Sequence, residues 1–132
     1  MLTDTQRNFL KEHHLAVLAT GRSDDSPQVS TVMYDFDGTD IAISIKRYTA
    51  KWKNVLRQPK VGLVINDGRK QLIVYGTAKA VEADPERMEL TRRLFRRVTG
   101  SEPGPAEELK PLLDGQERTA LRIIPERVFM ND

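Results

Sequence analysis

The clearest pattern in the chain is the alternation of isoleucine with small or polar residues between positions 41 and 46. Such a two-residue period is typical of a β-strand with one buried face. Asp37-Gly38, just before it, is a strong hairpin signal, so this strand is predicted to pair antiparallel with the preceding one. The six predicted strands cover residues 15–20, 28–36, 41–46, 61–65, 70–81 and 118–124.

Between these strands, hydrophobic residues recur at helical spacing and are flanked by capping residues. Pro59 and Gly100 end the second and third helices, and Gly115 follows the fourth. The helices are too few for a repeated βαβ pattern, so the fold class is mainly β (α+β), a small antiparallel barrel with six strands and peripheral helices. The predicted helices begin after Thr3, whose capping box uses Gln6, at Thr49, at Asp84-Pro85 and near Glu107.

Composition narrows the range of functions. At 132 residues and 39% hydrophobic, the chain is predicted to be a single domain over residues 1–132. The absence of cysteine excludes disulfides, thiolate catalysis, iron–sulfur clusters and cysteine zinc sites. No signal-peptide pattern or membrane-length apolar run occurs, which predicts a soluble, cytoplasmic protein. A net charge of only +2 argues against a nucleic-acid partner, and the adjacent His13 and His14 lack metal-ligand spacing, so no metal is predicted.

The junction between the isoleucine strand and the second helix is a candidate anion site. A helix N-terminus leaves backbone N–H groups unpaired and carries the positive end of the helix dipole. Thr49 supplies a hydroxyl there, Lys51 an ammonium group, and Asn54 lies three residues later on the same helical face. These residues predict a phosphate site, although a capped surface helix without a ligand would have the same pattern.

Several segments match a known family pattern in order: Leu15–Thr20, Ser26–Ser30, Tyr34–Phe36, Ser44, Thr49–Lys51, Asn54 and Gly76–Ala78. Together they resemble the pyridoxamine 5′-phosphate oxidase-like superfamily. More narrowly, they resemble its actinobacterial flavin/deazaflavin oxidoreductases of the B group, which use the 5-deazaflavin coenzyme F420. The resemblance implies a homodimeric split β-barrel with the cofactor in a groove between the subunits.

The same resemblance implies roles for individual residues. A ring-binding segment would run through Gln28, Val29, Ser30 and Thr31, and Gln71 would line the ring from the fifth strand. Ser44 would approach the ring or the ribityl chain. The phosphate would fall on Thr49, Ala50, Lys51 and Asn54. Relatives often carry arginine or serine where this chain has Thr49, so a hydrogen bond replaces the full charge that some of them use.

The predicted reaction is hydride transfer from reduced F420 to the electrophilic double bond of a small-molecule acceptor. The cofactor performs this chemistry, so no side chain is assigned as catalytic. Solvent, Tyr34 or Tyr75 could supply a proton. Two alternatives stay open. One is an oxidoreductase that uses flavin mononucleotide (FMN) at the same phosphate residues, and the other is a non-enzymatic barrel that stores or sequesters a cofactor.

Basic residues around the predicted phosphate site could attract the anionic tail of F420 or could be solvated surface groups. They are Lys46, Arg47, Lys53 and Arg57. A second basic stripe, Arg92, Arg93, Arg96 and Arg97, lies on the third helix. Because acidic residues share that helix and no aromatic platform for stacking bases is interleaved with the arginines, internal salt bridges are the favoured explanation. Trp52 is interpreted as a core residue or a dimer anchor.

Overall fold

The computed structural model describes residues 2–131, which form four helices and seven strands around a single sheet. The predicted mainly β fold with peripheral helices is therefore confirmed. In chain order the elements are α1 (Asp4–Glu12), β1 (Leu15–Gly21), β2 (Pro27–Met33), β3 (Asp35–Phe36), β4 (Ile41–Lys46), α2 (Ala50–Arg57), β5 (Lys60–Asp67), β6 (Lys70–Val81), α3 (Glu86–Thr99), α4 (Ala106–Gly115) and β7 (Arg118–Asn131).

The sheet curls into a half-barrel. Its strand order is β2-β1-β5-β6-β7-β4-β3, and every neighbouring pair is antiparallel. The two edge strands, β2 and β3, are joined by Tyr34 alone, so opposite edges of the sheet must lie next to each other. The covalent link between the edges therefore forces the curvature of a split barrel.

The prediction of six strands is wrong by one, because the strand expected at 28–36 is two strands. Residues up to Met33 pair with β1, whereas Asp35 and Phe36 pair with β4. At the break, the fully buried Tyr34 points into the barrel, and its backbone N–H donates to the carbonyl of His14 at 2.8 Å. The Asp37-Gly38 hairpin is present but spans only two residue pairs, because the rest of the segment changes partner.

The last strand is longer than its predicted range of 118–124. Its residues 118–123 pair with β4, and its residues from Ala120 to Asn131 pair with β6. The register shifts between Tyr75 and Gly76, where Gly76 faces Pro125. A Cβ atom on Gly76 would lie 2.3 Å from the carbonyl oxygen of Ile124. The backbones at this irregularity therefore approach more closely than any side chain would allow.

The capping predictions hold to different degrees. Thr3 and Gln6 form the complete capping box, with bonds of 2.9 Å and 3.1 Å between side chain and backbone. Thr49 is the N-cap of α2, but its hydroxyl donates to the carbonyl of Lys46 at 2.8 Å and makes no capping bond. At α3 the carboxylate of Asp84 accepts from the backbone N–H of Met88, inside the first turn.

The hydrophobic core fills the curl of the sheet and is covered by α1 and α2. Fully buried side chains from five strands meet there, among them Leu18, Ile43, Ile65, Leu72 and Leu121. Trp52 is 2% exposed and joins this cluster from α2, which confirms its interpretation as a core residue. None of the helices in residues 2–131 has the length and hydrophobicity needed to span a membrane.

A network of ion pairs fixes α3 against the β3–β4 hairpin. The buried carboxylate of Asp40 accepts from Arg93 at 3.1 Å and also pairs with Arg122. Arg93 reaches Asp35 at 3.0 Å as well. A buried charge is stable only beside an opposite charge, so these ion pairs help to fix the position of α3 on the hairpin. Three of the four arginines in the basic stripe of α3 have partners within the chain. Arg93 belongs to this network, Arg96 pairs with Glu102, and Arg97 donates to the carbonyl of Lys11.

Candidate functional site

A cavity of about 470 Å³ lies between the strand–helix junction and the two helices α3 and α4. One wall, which we call the floor, comes from β2, β4, the start of α2 and the start of β7. The opposite wall, the roof, comes from α3 and α4. The floor contains Thr31, Val32, Met33, Ser44, Lys51, Gln116 and Arg118, and the roof contains Thr91, Leu94, Phe95, Val98, Thr99, Leu109, Leu112 and Leu113.

Two cations dominate the floor. The ammonium of Lys51 donates to the hydroxyl of Ser30 at 3.5 Å, and the guanidinium of Arg118 donates to the hydroxyl of Ser44 at 3.5 Å. Arg118 also donates to the side-chain oxygen of Gln116 at 3.2 Å. Neither cation forms a salt bridge within residues 2–131. Both positive charges are therefore uncompensated by the described part of the chain.

The electrostatics of the floor favour an anion. Burial lowers the pKa of Lys51, and the positive charge of Arg118 lowers it further. Both effects destabilise the charged form of Lys51 relative to its neutral form as long as no negative group lies in the cavity. A phosphate or carboxylate bound between Lys51 and Arg118 would replace repulsion by two charge-assisted hydrogen bonds.

The roof is almost entirely apolar. Phe95 is 41% exposed and Leu112 is 59% exposed, so both present apolar surface to the cavity. On α3 the apolar residues that pack into the protein are Met88 and Leu90, one to two helical turns earlier. Leu94 and Phe95 line the cavity instead.

Four of the predicted site residues are brought together by the fold. Thr31, Ser44 and Lys51 line the cavity, and Ser30 touches Lys51. Ala50 is exposed at the first helical position of α2, directly before Lys51. The hydrogen bond between Lys51 and Ser30 thus joins the N-terminus of α2 to β2.

Three other predicted residues have their side chains engaged within the protein. Asn54 is buried, donates to Thr20 at 3.1 Å and accepts from Arg57 at 2.9 Å. Thr20 in turn donates to Gln28 at 2.9 Å. Because these bonds join α2 to β1 and β2, Asn54 and Gln28 hold Lys51 and Ser30 in position. The third residue, Thr49, has its hydroxyl bonded to the preceding turn.

Val29 and Gln71 lie outside the cavity, on the convex surface of the sheet. Val29 is 62% exposed on β2. Gln71 lies on β6, opposite Asn66, and β6 is three strands away from β2. Gln71 pairs with Asn131, at the opposite end of β7 from Arg118, so a single chain does not bring Gln71 to the Lys51–Arg118 pair.

The two tyrosines suggested as proton donors have different environments. Tyr34 is completely buried, and its hydroxyl donates to the carbonyl of Leu10 at 2.9 Å. Burial raises the pKa of Tyr34 well above its usual value. Tyr34 is therefore a core residue and not a proton donor in the groove. Tyr75 is 48% exposed on the convex surface, in edge contact with Phe129 and outside the cavity.

The other basic residues near α2 are only partly free. Arg57 donates to the carbonyl of Gly21 at 2.7 Å, and Arg47 lies 3.6 Å from a carboxylate oxygen of Glu82. The ammonium of Lys46 lies over the ring of Tyr48. Lys53 is exposed on the side of α2 away from the cavity lining. Within the described residues, the cavity itself takes its positive charge from Lys51 and Arg118.

Sequence reasoning missed Arg118 and the roof. Arg118 opens β7 and pairs with Lys46 of β4, which brings its side chain next to Ser44. The only signal in the sequence is an arginine at the start of a strand, and the pairing that gives it meaning joins segments 72 positions apart (118 minus 46). The roof was missed because an apolar helical stripe looks the same whether it faces a core or a cavity.

The convex surface of the sheet carries exposed apolar residues across several strands, and we call it the outer face. Register places Val17, Val64, Ile73 and Phe129 in one row across β1, β5, β6 and β7, with Val64 and Ile73 partly exposed. The large apolar members of the outer face are Leu15, Val17, Val29, Met33, Tyr75 and Phe129, each at least 37% exposed.

Comparison with known proteins gives one family and a set of structural neighbours. A family model described as pyridoxamine 5′-phosphate oxidase matches residues 2–132. A conserved hypothetical protein of Mycobacterium tuberculosis superposes with a TM-score of 0.82 at 23% identity, covering 100% of this chain and 86% of that chain. An F420 reductase gives 0.75 at 21% identity, with 97% and 98% covered. A heme storage protein of Vibrio cholerae gives 0.68 at 22% identity, with 98% and 94% covered. At these identities the neighbours share the fold.

Proposed function

The chain belongs to the pyridoxamine 5′-phosphate oxidase-like superfamily, and from this premise we propose that it is an oxidoreductase that binds coenzyme F420. It would transfer a hydride to an unsaturated small-molecule acceptor. The observation that carries the proposal is the pair of uncompensated cations, Lys51 and Arg118, on the floor of the cavity. The fold that this chain shares with an F420 reductase supports the choice of cofactor.

The residues present fit a phosphorylated cofactor. Lys51 and Arg118 supply two charges for one phosphate, and the hydroxyls of Ser30 and Ser44 already bond to these cations. Lys51 lies in the first turn of α2, where unpaired backbone N–H groups add to the attraction for an anion. This set of donors is what a phosphate monoester or diester needs.

The edge of β2 would hold the ring system. In the described residues, the side of β2 away from β1 has no strand partner, so its backbone groups are open to a ligand. Thr31 adds a hydroxyl that faces the cavity. When bound, the reduced deazaflavin supplies the hydride. The chain would bind the phosphate, orient the ring along β2 and exclude water from the acceptor with the apolar roof.

FMN is the second candidate, and one observation favours it. The cavity lining contains two cations, which suit a single phosphate, and the apolar roof offers nothing to an oligoglutamate tail. An F420 tail would therefore have to leave the cavity toward solvent. FMN carries no tail and would need only the Lys51–Arg118 pair.

The experiment that tests the proposal is a fluorescence titration of the protein with F420, beside an identical titration with FMN. We expect saturable binding of F420 with a dissociation constant below that for FMN. Tighter binding of FMN would replace the proposed cofactor by the alternative, and binding of neither would overturn the phosphate site. Turnover with a panel of enones and quinones then separates an enzyme from a cofactor carrier.

The outer face supports the proposal that two copies form a homodimer. It carries exposed apolar residues on four strands, β2, β1, β6 and β7, from Val29 to Phe129. In a twofold arrangement each subunit would present this face to the other, and Gln71 of one subunit could approach the β2 edge of its partner. A site completed by the second copy would account for the position of Gln71 on the convex surface.

Replacement of Val17 by glutamate is expected to convert the dimer to monomers, because it places a charge at the centre of the outer face. Val17 is 37% exposed in the single chain, so the substitution leaves the core intact. Sedimentation velocity measures the change. Leu56→Glu is the matched control, since Leu56 is 56% exposed on α2 and lies outside the outer face. A Val17→Glu protein that remains dimeric would exclude this face as the interface.

A further inference from the structure

We propose that the cavity also binds a medium-chain alkyl carboxylate, with its head group on the floor and its chain against the roof. The proposal concerns a ligand that the cofactor hypothesis does not require. It rests on the combination of two features within one cavity of about 470 Å³: an uncompensated pair of cations and a large apolar wall.

The roof is built for an apolar ligand that is not a planar ring alone. Leucine and valine side chains dominate it, and Leu94, Val98, Leu109 and Leu112 come from two helices that contact each other. Val98 is 37% exposed and Leu112 is 59% exposed, so their apolar surface is available to a ligand. Burial of an unbranched chain against such a surface removes apolar area from water on both partners.

The floor selects the head group. The cavity lining carries two cations and no carboxylate side chain, so the described residues leave a net positive charge next to the apolar roof. Arg118 uses Nε for Gln116 and Nη1 for Ser44, so Nη2 has no partner within the described residues and can donate to a carboxylate oxygen. A neutral chain would satisfy the roof but leave the cations uncompensated.

The carboxylate and the cofactor phosphate would use the same two cations. Competition between the two ligands therefore rests on the proposed function, whereas binding of the carboxylate by itself does not. If both ligands bind, these alkyl carboxylates inhibit cofactor binding competitively, so the inhibition weakens as the cofactor concentration rises.

The test uses hexanoate, octanoate and decanoate, titrated by isothermal calorimetry into the full chain without cofactor. We expect the dissociation constant to fall about two- to fourfold for each added methylene, as burial of a CH₂ group on an apolar surface predicts. Decanol provides the comparison for the head group and should bind at least tenfold more weakly than decanoate. Equal affinities of the three acids would overturn the role of the roof.

Matched variants assign the two walls. Lys51→Gln should weaken decanoate binding about tenfold, while Lys53→Gln, on the same helix but outside the cavity lining, should leave it unchanged. Leu112→Ser should weaken decanoate several-fold and spare hexanoate, while Leu56→Ser should affect neither. Both leucines are exposed, so the fold is expected to persist. Weaker decanoate binding by the control variants, or unchanged decanoate binding by the cavity variants, would overturn the proposal.

A separate F420 and FMN titration keeps the two hypotheses apart. Chain-length dependence without binding of either cofactor would retain the carboxylate site and remove the proposed function. Cofactor binding without chain-length dependence would retain the proposed function and remove the carboxylate site.

Discussion

Replacement of both floor cations, Lys51→Ala with Arg118→Gln, is expected to weaken cofactor binding by about 3–5 kcal/mol. Each removes a charge-assisted hydrogen bond to the phosphate, worth about 1.5–3 kcal/mol. Lys51→Ala alone is therefore expected to cost about 1.5–3 kcal/mol. The double variant should lose less than the sum of the single losses, since the repulsion that lowers the pKa of Lys51 also disappears.

Fluorescence titration of the single and double variants with F420 and FMN measures this loss. The control removes one lysine and one arginine elsewhere, Lys53→Ala with Arg69→Gln, both exposed and outside the cavity lining. It keeps the net charge equal to that of the test variant, so any general electrostatic effect appears in both. Equal losses in the two double variants would show that the cations act through the overall field and not as a site.

Replacement of Gly76 by alanine is expected to destabilise the protein by about 3 kcal/mol or more. The new Cβ would lie 2.3 Å from the carbonyl oxygen of Ile124, a contact that real Cβ atoms do not make. The atom in the way is backbone, in the strand that pairs with β6 along its length. Relief therefore requires the two central strands to separate, and no side chain can absorb the strain.

Chemical denaturation with urea measures the loss as a lower midpoint. Gly115→Ala is the control, since an added Cβ there has open space around it and the residue ends α4. That substitution is expected to be neutral or slightly stabilising, because alanine restricts the unfolded chain more than glycine does. A Gly76→Ala midpoint equal to that of Gly115→Ala would mean that the register shift beside Gly76 is not structurally required.

Local patterns in the sequence predict most of the fold, but they predict only part of the site. Alternating isoleucines identify β4, because its pleat buries one face against the core. The break at Tyr34 escaped prediction because the segment 28–36 has a continuous strand pattern. Only the change of pairing partner, from β1 to β4, divides it. Partner choice is a property of the whole sheet.

The site shows the same limit. Lys51 was predicted from its position in a helix N-terminal turn, which is a local feature. Asn54 has the expected spacing, yet its amide group is hydrogen-bonded to Thr20, which is distant in sequence, and to Arg57, which follows three residues later. Spacing identifies which side chains share a helical face, whereas burial decides whether they meet a ligand or the protein.

The open edge of β2 exposes the protein to strand pairing with other molecules, and a bound ligand would reduce that risk. A strand with unpaired backbone groups on one side can accept a strand from another molecule as readily as it accepts a ring. The fold covers part of this edge by bringing β4 close, and the proposed cofactor would cover more of it. Cofactor supply would then influence how well the protein resists strand-to-strand aggregation, in addition to whether it is active.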